Sequence, residues 1–125
     1  MREQWLQPVI DAVPGATAMD FADWEVIPGF LDGKHVCSAV MRGSEIHFAV
    51  VSGCRPILKG RTQDFLQPLF DRKGFLTTRV PLSARAERRF VERLGFERTW
   101  SDHLFDYFFL GDLPFSRTKH ATSFI

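Results

Sequence analysis

The sequence predicts one small α/β (α+β) domain in which helices flank a mixed central sheet. Its 125 residues are 45% hydrophobic, which is enough to bury a core without disulfides or metals. Two β-rich runs lie close together near the middle of the chain. Helix-like and strand-like patterns then alternate towards the C-terminus, as they do in domains with a mixed sheet. We expect residues 1–112 to form the domain and residues 113–125 to form an irregular tail without periodicity.

The N-terminal third contains one clear helix and one ambiguous stretch. Residues 2–12 place Trp5, Val9 and Ile10 on one helical face, and Pro14 and Gly15 end the pattern. Residues 16–33 mix apolar side chains with proline and glycine and show no sustained period. They are compatible with a second short helix or with a strand that ends in a turn.

The middle of the chain predicts a hairpin followed by a helix and a strand. The runs 35–41 and 45–51 are nearly continuous apolar segments around a tight turn at residues 42–44. Residues 62–73 have helical spacing, with Gly74 as a stop and with Pro68 inside, where it should kink the helix or shift its start. Residues 75–81 form a β-branched strand, which a crossover helix would place parallel to the preceding strand.

The last predicted helix follows Ser83, which is a good N-cap residue, and it ends at Gly95. Its apolar stripe consists of Ala86, Phe90, Val91 and Leu94. Residues 96–101 and 103–110 then predict two closing strands, or one strand with a bulge.

Charge and composition exclude several classes of partner. Sixteen Lys and Arg against fifteen Asp and Glu leave a formal net charge of +1, which indicates neither a nucleic-acid nor an anionic-membrane partner. The arginines between positions 79 and 98 alternate with glutamates, as on a solvated helix face. We find no signal peptide and no apolar run of about 20 residues, so we expect a cytoplasmic protein. Cys37 and Cys54 are expected to be buried thiols rather than metal ligands.

The strongest motif is the segment SARAERRFVERLGF, residues 83–96, which resembles the pattern N-x-x-A-x-x-x-Y-x-x-x-G-F of the GCN5-related N-acetyltransferase (GNAT) superfamily. Ser83 stands for the asparagine, and Phe90 stands for the tyrosine. The order hairpin, helix, strand, helix, strand is similar to the second half of that fold. The resemblance implies a GNAT-like sheet and acyl transfer from acetyl-CoA to an amine. In the family the tyrosine protonates the departing thiolate, and phenylalanine has no proton to donate.

A second match concerns Glu45, at the start of the segment EIHFAVVS. This segment is similar to the fourth strand of GNAT enzymes in which a glutamate acts as general base. The resemblance implies that Glu45 removes a proton from the acceptor ammonium. An exposed acid that merely opens a strand is the alternative.

A third match concerns the loop before the predicted helix at residues 62–73. GNAT proteins hold the coenzyme A pyrophosphate with a Q/R-x-x-G-x-G/A loop at a helix start, where backbone N–H groups attract anions. The corresponding candidate residues here are Leu58, Lys59, Gly60, Arg61 and Thr62, with Ser83 as a further contact. The loop keeps one glycine and adds positive charge, so it either still binds a pyrophosphate through its side chains or is vestigial.

Two functions therefore remain open. The first is a GNAT-type N-acyltransferase, or a descendant with eroded motifs, that uses acetyl-CoA and an amine acceptor. The second is a non-catalytic binding or structural protein, because LKGRTQDF and RRFVERLGFERTW are also similar to a GNAT-like internal virion protein family of short-tailed bacteriophages. In that case the protein would be associated with a virion, and the aromatic C-terminal strand would support self-association or a protein partner.

Histidines suggest two further sites that the sequence does not favour. Alternation along a strand places Glu45 and His47 on one face, which allows an acid–histidine pair, and His103 lies between Asp102 and Asp106. Neither group has a third ligand at a suitable spacing, so we predict no metal site and structural roles for these histidines.

Overall fold

The computed structural model describes residues 2–58 and 60–112. The chain divides into two compact units, Met1–Gly60 and Arg61–Ile125, and each is described by itself. The single-domain assignment of residues 1–112 stays a prediction, and the expected irregular tail at 113–125 lies outside the described residues.

The first unit is a three-stranded antiparallel sheet covered by a helix. The helix α1 spans Arg2–Ala12, and a 3₁₀ turn follows at Ala18–Phe21. The strands β1 (Glu25–Leu31), β2 (Lys34–Arg42) and β3 (Glu45–Val50) follow in order, with β2 in the centre. The predicted N-terminal helix and hairpin are confirmed. The ambiguous stretch contains both of its alternatives, because the short helical turn precedes a strand.

Turn geometry fixes the two hairpins of this unit. Asp32 and Gly33 both have positive φ, 52° and 80°, as the tight turn between β1 and β2 requires. Gly43, with φ 62°, makes the turn between β2 and β3 and places Arg42 opposite Glu45. Glycine suits this position because a side chain would be strained there.

The core of the first unit lies between α1 and the sheet. Six buried side chains form one cluster that packs α1 against the 3₁₀ turn, the residue before β1, and strands β2 and β3. They are Leu6, Val9, Phe21, Trp24, Val40 and Ala49. From Val36 to Met41 every residue of β2 is buried, as expected for a central strand covered on both faces. The helix therefore docks by burying one apolar face.

As far as residue 112, the second unit contains two helices and three antiparallel strands. The short helix α2 (Arg55–Leu58) ends the first unit, and α3 (Thr62–Lys73) begins the second. The strands are β4 (Leu76–Pro81), β5 (Glu97–Ser101) and β6 (Phe105–Leu110), and the helix α4 (Arg85–Arg93) lies between β4 and β5 in the chain.

In the second unit β6 pairs with both β4 and β5, and the register breaks between Arg98 and Trp100. The chain thus closes with two strands rather than with one bulged strand, although β5 does carry an irregularity. The parallel pairing expected between β4 and the preceding strand would join the two units and stays a prediction.

The ends of α3 and α4 follow the glycines that the sequence marks. Gly74 has φ 80°, and its N–H donates to the Phe70 carbonyl at 2.8 Å. Gly95 has φ 104°, and the N–H groups of Gly95 and Phe96 donate to the carbonyls of Glu92 and Val91. This double closure is a Schellman motif, which satisfies carbonyls that a helix end leaves unpaired.

The start of α4 corrects the sequence analysis. Ser83 is not the N-cap, because the helix begins at Arg85 and Ala84 occupies the cap position without a side-chain hydrogen bond. The backbone uses Ser83 in the preceding turn, where its carbonyl accepts from the Arg85 N–H at 3.1 Å. Ala86 is also exposed rather than packed on the sheet, so its small size is not explained by a close crossing.

These two ends of α4 respond differently to alanine. Gly95→Ala should lower the free energy of unfolding by about 1–2 kcal/mol, because a residue with a Cβ is strained at this positive φ. Ser83→Ala is the matched control and should change it by less than about 0.5 kcal/mol, whereas loss of a true N-cap costs about 1 kcal/mol. Urea unfolding followed by circular dichroism measures both. A larger loss in Ser83→Ala than in Gly95→Ala would contradict the observed helix boundaries.

The turn between β5 and β6 depends on the carboxylate of Asp102. Its Oδ1 accepts the N–H groups of Phe105 at 2.7 Å and Leu104 at 2.8 Å, and its Oδ2 accepts the Tyr107 hydroxyl at 2.8 Å. The hydrogen bond from the Phe105 backbone, with those from Leu104 and Tyr107, lowers the pKa of Asp102 below its ordinary value. The same contact with Asp102 raises the pKa of Tyr107. The turn is thus most stable with Asp102 ionised and Tyr107 protonated.

Acid should therefore weaken this turn. Since the pKa of Asp102 is lowered in the folded state, its contribution is present above the ordinary carboxyl pKa and is lost as pH falls through the lowered value. We expect the stability difference between pH 7 and pH 3, measured by urea unfolding, to be smaller in Asp102→Asn than in the native chain. Glu92→Gln removes an exposed carboxylate from α4 of the same unit and should leave that difference nearly unchanged. An identical pH dependence in Asp102→Asn and the native chain would show that the turn does not depend on this ionisation.

Candidate functional site

Glu45 and His47 form a hydrogen-bonded pair on β3. Glu45 is the first residue of the strand, and its Oε2 lies 2.7 Å from Nε2 of His47. The two side chains are 23% and 28% exposed, so the pair is partly open to solvent. Strand alternation allows this pair because residues i and i+2 of a strand share a face, and that geometry is confirmed.

Within the first unit Trp24 packs against the pair, and Arg42 packs on Trp24. The ring of Trp24, which is 7% exposed, lies 5.4 Å from the His47 ring. The guanidinium of Arg42 lies 4.6 Å from the centre of the Trp24 ring, where a cation is attracted to the π face. Trp24 also lines a cavity of about 400 Å³ together with Trp5, Arg2 and Glu25. We call Glu45, His47, Trp24 and Arg42 the acid–histidine cluster.

The remaining metal-type ligands do not come together in the described part of the chain. No group of three His, Cys, Asp or Glu side chains there could hold a metal ion. Cys37 and Cys54 are buried and free, as predicted. Burial raises the pKa of Cys37 to about 11, and the nearby Cys54 acts in the same direction, so this thiol stays protonated and unreactive.

The candidate pyrophosphate residues lie at the end of α2 and the start of α3. Leu58 ends α2 and only 2% of the residue is exposed, so it offers a ligand little contact. Gly60 has φ 80°, with open space where a Cβ would lie. Arg61 precedes α3 and makes no capping hydrogen bond with its side chain, and Thr62 is the first helical residue. Lys59 lies outside the described residues.

This donor set fits an anion in most respects. Helix α3 has 12 residues, its N-terminus is electropositive, and the exposed Arg61 adds a full positive charge. The glycine before it permits close approach of a ligand to the backbone. Asp64, in the first turn, has the wrong sign for an anion site and should weaken it.

Ser83 lies before α4, and Phe90 lies within it. Ser83 is exposed, and Phe90 is half-buried. Counted back from Gly95, however, the tyrosine position of the GNAT pattern falls on Val91, which is also half-buried. The insertion of one residue between the two ends of the motif leaves two positions for the missing hydroxyl.

The candidate residues divide between the two units. The first contains Glu45, Leu58 and Gly60, and the second contains Arg61, Thr62, Ser83 and Phe90. The structure places each within its own unit, and the catalytic and coenzyme-binding roles stay predictions.

Sequence reasoning missed a charged network in the second unit. Asp106 is 2% exposed, accepts a hydrogen bond from Ser101 Oγ at 2.5 Å and pairs with Arg88 at 2.7 Å. Arg98 lies 3.7 Å from its other oxygen. The bond from Ser101, and then the two arginines, lower the pKa of Asp106. Arg88 and Arg98 are thus partners of a buried carboxylate, and not only part of a solvated face. The sequence does contain a signal for this network, since an acidic residue at position 106 falls on the buried face of an alternating strand and needs a partner there.

Comparison with solved structures identifies the fold. The ribosomal-protein-S18-alanine N-acetyltransferase from Escherichia coli matches with a TM-score of 0.55 and 20% identity over 86% of this chain and 81% of that one. This chain has the fold of that acetyltransferase. The predicted fold class, an α/β GNAT-like fold, is therefore confirmed.

The other comparisons add no relative. No protein-family model matches the sequence, and no curated protein matches it. The resemblance to a virion protein family stays a prediction. None of the helices in the described ranges is long and apolar enough to cross a membrane.

The start of α3 can be tested by reversing one charge. If residues 60–62 hold a pyrophosphate, Arg61→Glu should lower the affinity for acetyl-CoA at least tenfold, because the charge at the helix start changes sign. Arg72→Glu, an equal charge change in the last turn of the same helix, is the matched control and should alter affinity little. Isothermal titration calorimetry measures both. Equal affinities in the Arg61 variant and the native chain would place the anion site elsewhere.

Proposed function

We propose that this chain is a slow acyl-CoA-dependent N-acyltransferase that transfers an acetyl group to an amine. Its fold is that of an enzyme that acetylates an alanine of a ribosomal protein, and the proposal extends that reaction type to this chain without its substrate. The observation that carries the proposal is Glu45, a partly exposed carboxylate at the first position of β3.

The proposed chemistry is divided between two groups of residues. Acetyl-CoA, when bound, supplies an acetyl group activated as a thioester. Gly60, Arg61 and Thr62 would hold its pyrophosphate, with Lys59 as a further positive charge. Glu45 would take a proton from the acceptor ammonium, since an amine attacks only through its free lone pair.

The proposed rate is low because the general acid is missing. Neither Phe90 nor Val91, the two positions that match the family tyrosine, has a proton to donate. Loss of a positioned general acid typically costs about 10²- to 10⁴-fold in rate. The chain keeps the base and the anion-binding helix start but lacks the group that would protonate the leaving thiolate.

Restoring the hydroxyl should raise the rate. We expect Phe90→Tyr or Val91→Tyr to increase acetyl transfer to a generic primary amine by about tenfold or more. Only one of the two should do so, because neighbouring residues of a helix point in different directions. Release of free thiol with a chromogenic reagent measures the rate. The unsuccessful tyrosine variant is the control for effects of the substitution itself. A fast native chain would show that another group supplies the proton.

Binding of acetyl-CoA distinguishes an active acyltransferase from a protein that has the fold without the activity. Calorimetric titration of acetyl-CoA into the native chain should give measurable heat with saturation. If no binding is detected at millimolar acetyl-CoA, while circular dichroism shows that the protein is folded, the acyltransferase proposal is wrong.

The second candidate is a non-catalytic binding module, and one surface of the second unit favours it. Trp100 and Tyr107 stack with ring centres 4.4 Å apart, and Phe75 stacks on Phe109 at 5.7 Å. Trp100 is nonetheless 57% exposed and Phe109 41% exposed. Exposed aromatic surface of this kind is typical of contact sites. Self-association measured by sedimentation, and abolished by Trp100→Ala, together with absent coenzyme binding, would favour this role.

A further inference from the structure

The acid–histidine cluster contains a basic nitrogen that the family resemblance does not use. Glu45 accepts from Nε2 of His47, so the lone pair of the neutral imidazole lies on Nδ1. Among buried side-chain nitrogens and oxygens of the described residues, only Nε of Arg88 lacks a hydrogen-bond partner. Since no partner of Nδ1 is found in that same part of the chain, this nitrogen is open to solvent.

The surroundings hold the imidazole in one orientation. The Glu45 carboxylate fixes one ring nitrogen at 2.7 Å, and the Trp24 ring packs beside it at 5.4 Å. A carboxylate on one nitrogen of a histidine fixes the tautomer and stabilises the imidazolium that forms when the other nitrogen takes a proton. The arrangement therefore has two of the three parts of an acid–base relay, with the third place facing solvent.

His35, in the same unit, shows what a structural histidine looks like here. Its Nε2 is 2.8 Å from the hydroxyl of Ser38, and its ring packs against Trp5 at 4.8 Å and Phe30 at 5.7 Å. Its partner is a neutral hydroxyl in an aromatic setting. His47 differs from it by having a carboxylate as the partner of Nε2.

We propose that Nδ1 of His47, rather than the carboxylate of Glu45, takes the proton from the acceptor amine, and that Glu45 is a positioning residue. In this step the N–H bond of the ammonium breaks and its electron pair stays on the amine nitrogen as the lone pair. The proton forms a new bond to Nδ1, and the resulting imidazolium is stabilised by Glu45 and later returns the proton to water. The inference rests on the proposed function and changes the role of Glu45 within it.

The effect of Glu45 on the reactivity of His47 can be measured without an activity assay. Diethyl pyrocarbonate acylates an unprotonated imidazole nitrogen, and mass spectrometry gives the rate for each histidine. We expect His47 to react faster than His35, and Glu45→Gln to slow His47 several-fold while leaving His35 unchanged. The glutamine amide oxygen can still accept from Nε2, so folding should be preserved. An equal rate at His47 in the native chain and Glu45→Gln would overturn the proposal, because the carboxylate would then not control the nitrogen.

The role of His47 in acetyl transfer is tested by removing its imidazole ring and adding free imidazole. With the Phe90 or Val91 tyrosine variant as the active background, His47→Ala should lower kcat by about 10²- to 10⁴-fold, and added imidazole should restore part of it. His47→Gln should lose the rate without rescue, since its side chain still fills the space. His35→Ala should show neither the loss nor the rescue, and circular dichroism checks that each variant is folded.

The outcomes separate the two proposals. Transfer that is unaffected by His47→Ala overturns the role of His47 alone and returns the proton to Glu45. No transfer by the native chain or by either tyrosine variant overturns the proposed function and, with it, this role. Rescue by imidazole in His47→Ala supports both, because a purely structural histidine would not be replaced by a diffusing base.

Discussion

The register of the β2–β3 hairpin is the constraint on which the first unit depends. Gly43 makes the tight turn, and the pairing that follows places Val40 opposite His47 and Arg42 opposite Glu45. Because strand side chains alternate between faces, a slip of one residue would move the acid–histidine pair to the other side of the sheet. The same slip would expose Ala49, which packs in the cluster under α1. Core packing and the geometry of the candidate site are therefore fixed by the same turn.

Features with local causes could be predicted from the sequence. Gly74 and Gly95 mark helix ends because a left-handed residue there costs little only for glycine, and both ends occur where expected. Ser83 misled the analysis, because a serine before a helical pattern can serve equally well in the preceding turn, and the backbone path decides between the two. The Asp106 network was missed for a different reason. Its partners Ser101, Arg88 and Arg98 come from α4 and β5, and only tertiary structure brings them to one carboxylate.

The candidate site was partly predictable in the same sense. Alternation sufficed to put Glu45 and His47 on one face, but not to show that they bond, which depends on the rotamers of both side chains. Trp24 comes from the turn before β1, a stretch whose structure the sequence left open, so its contact with His47 could not be foreseen. Arg61 is the opposite case, since a helix start and a positive charge are both visible in the sequence.

The acid–histidine pair itself bears on the proposed function. A hydrogen bond between a partly exposed carboxylate and a partly exposed imidazole contributes little net stability. A protein that had lost catalytic activity would therefore gain little by keeping this pair. A structural histidine is satisfied more simply, as His35 is by the hydroxyl of Ser38. The acid–histidine pair is therefore hard to explain by folding alone. An imidazole with one nitrogen held by a carboxylate and the other open to solvent is suited to exchange protons with a ligand. The carboxylate partner, which His47 has and His35 lacks, argues for a chemical role at β3.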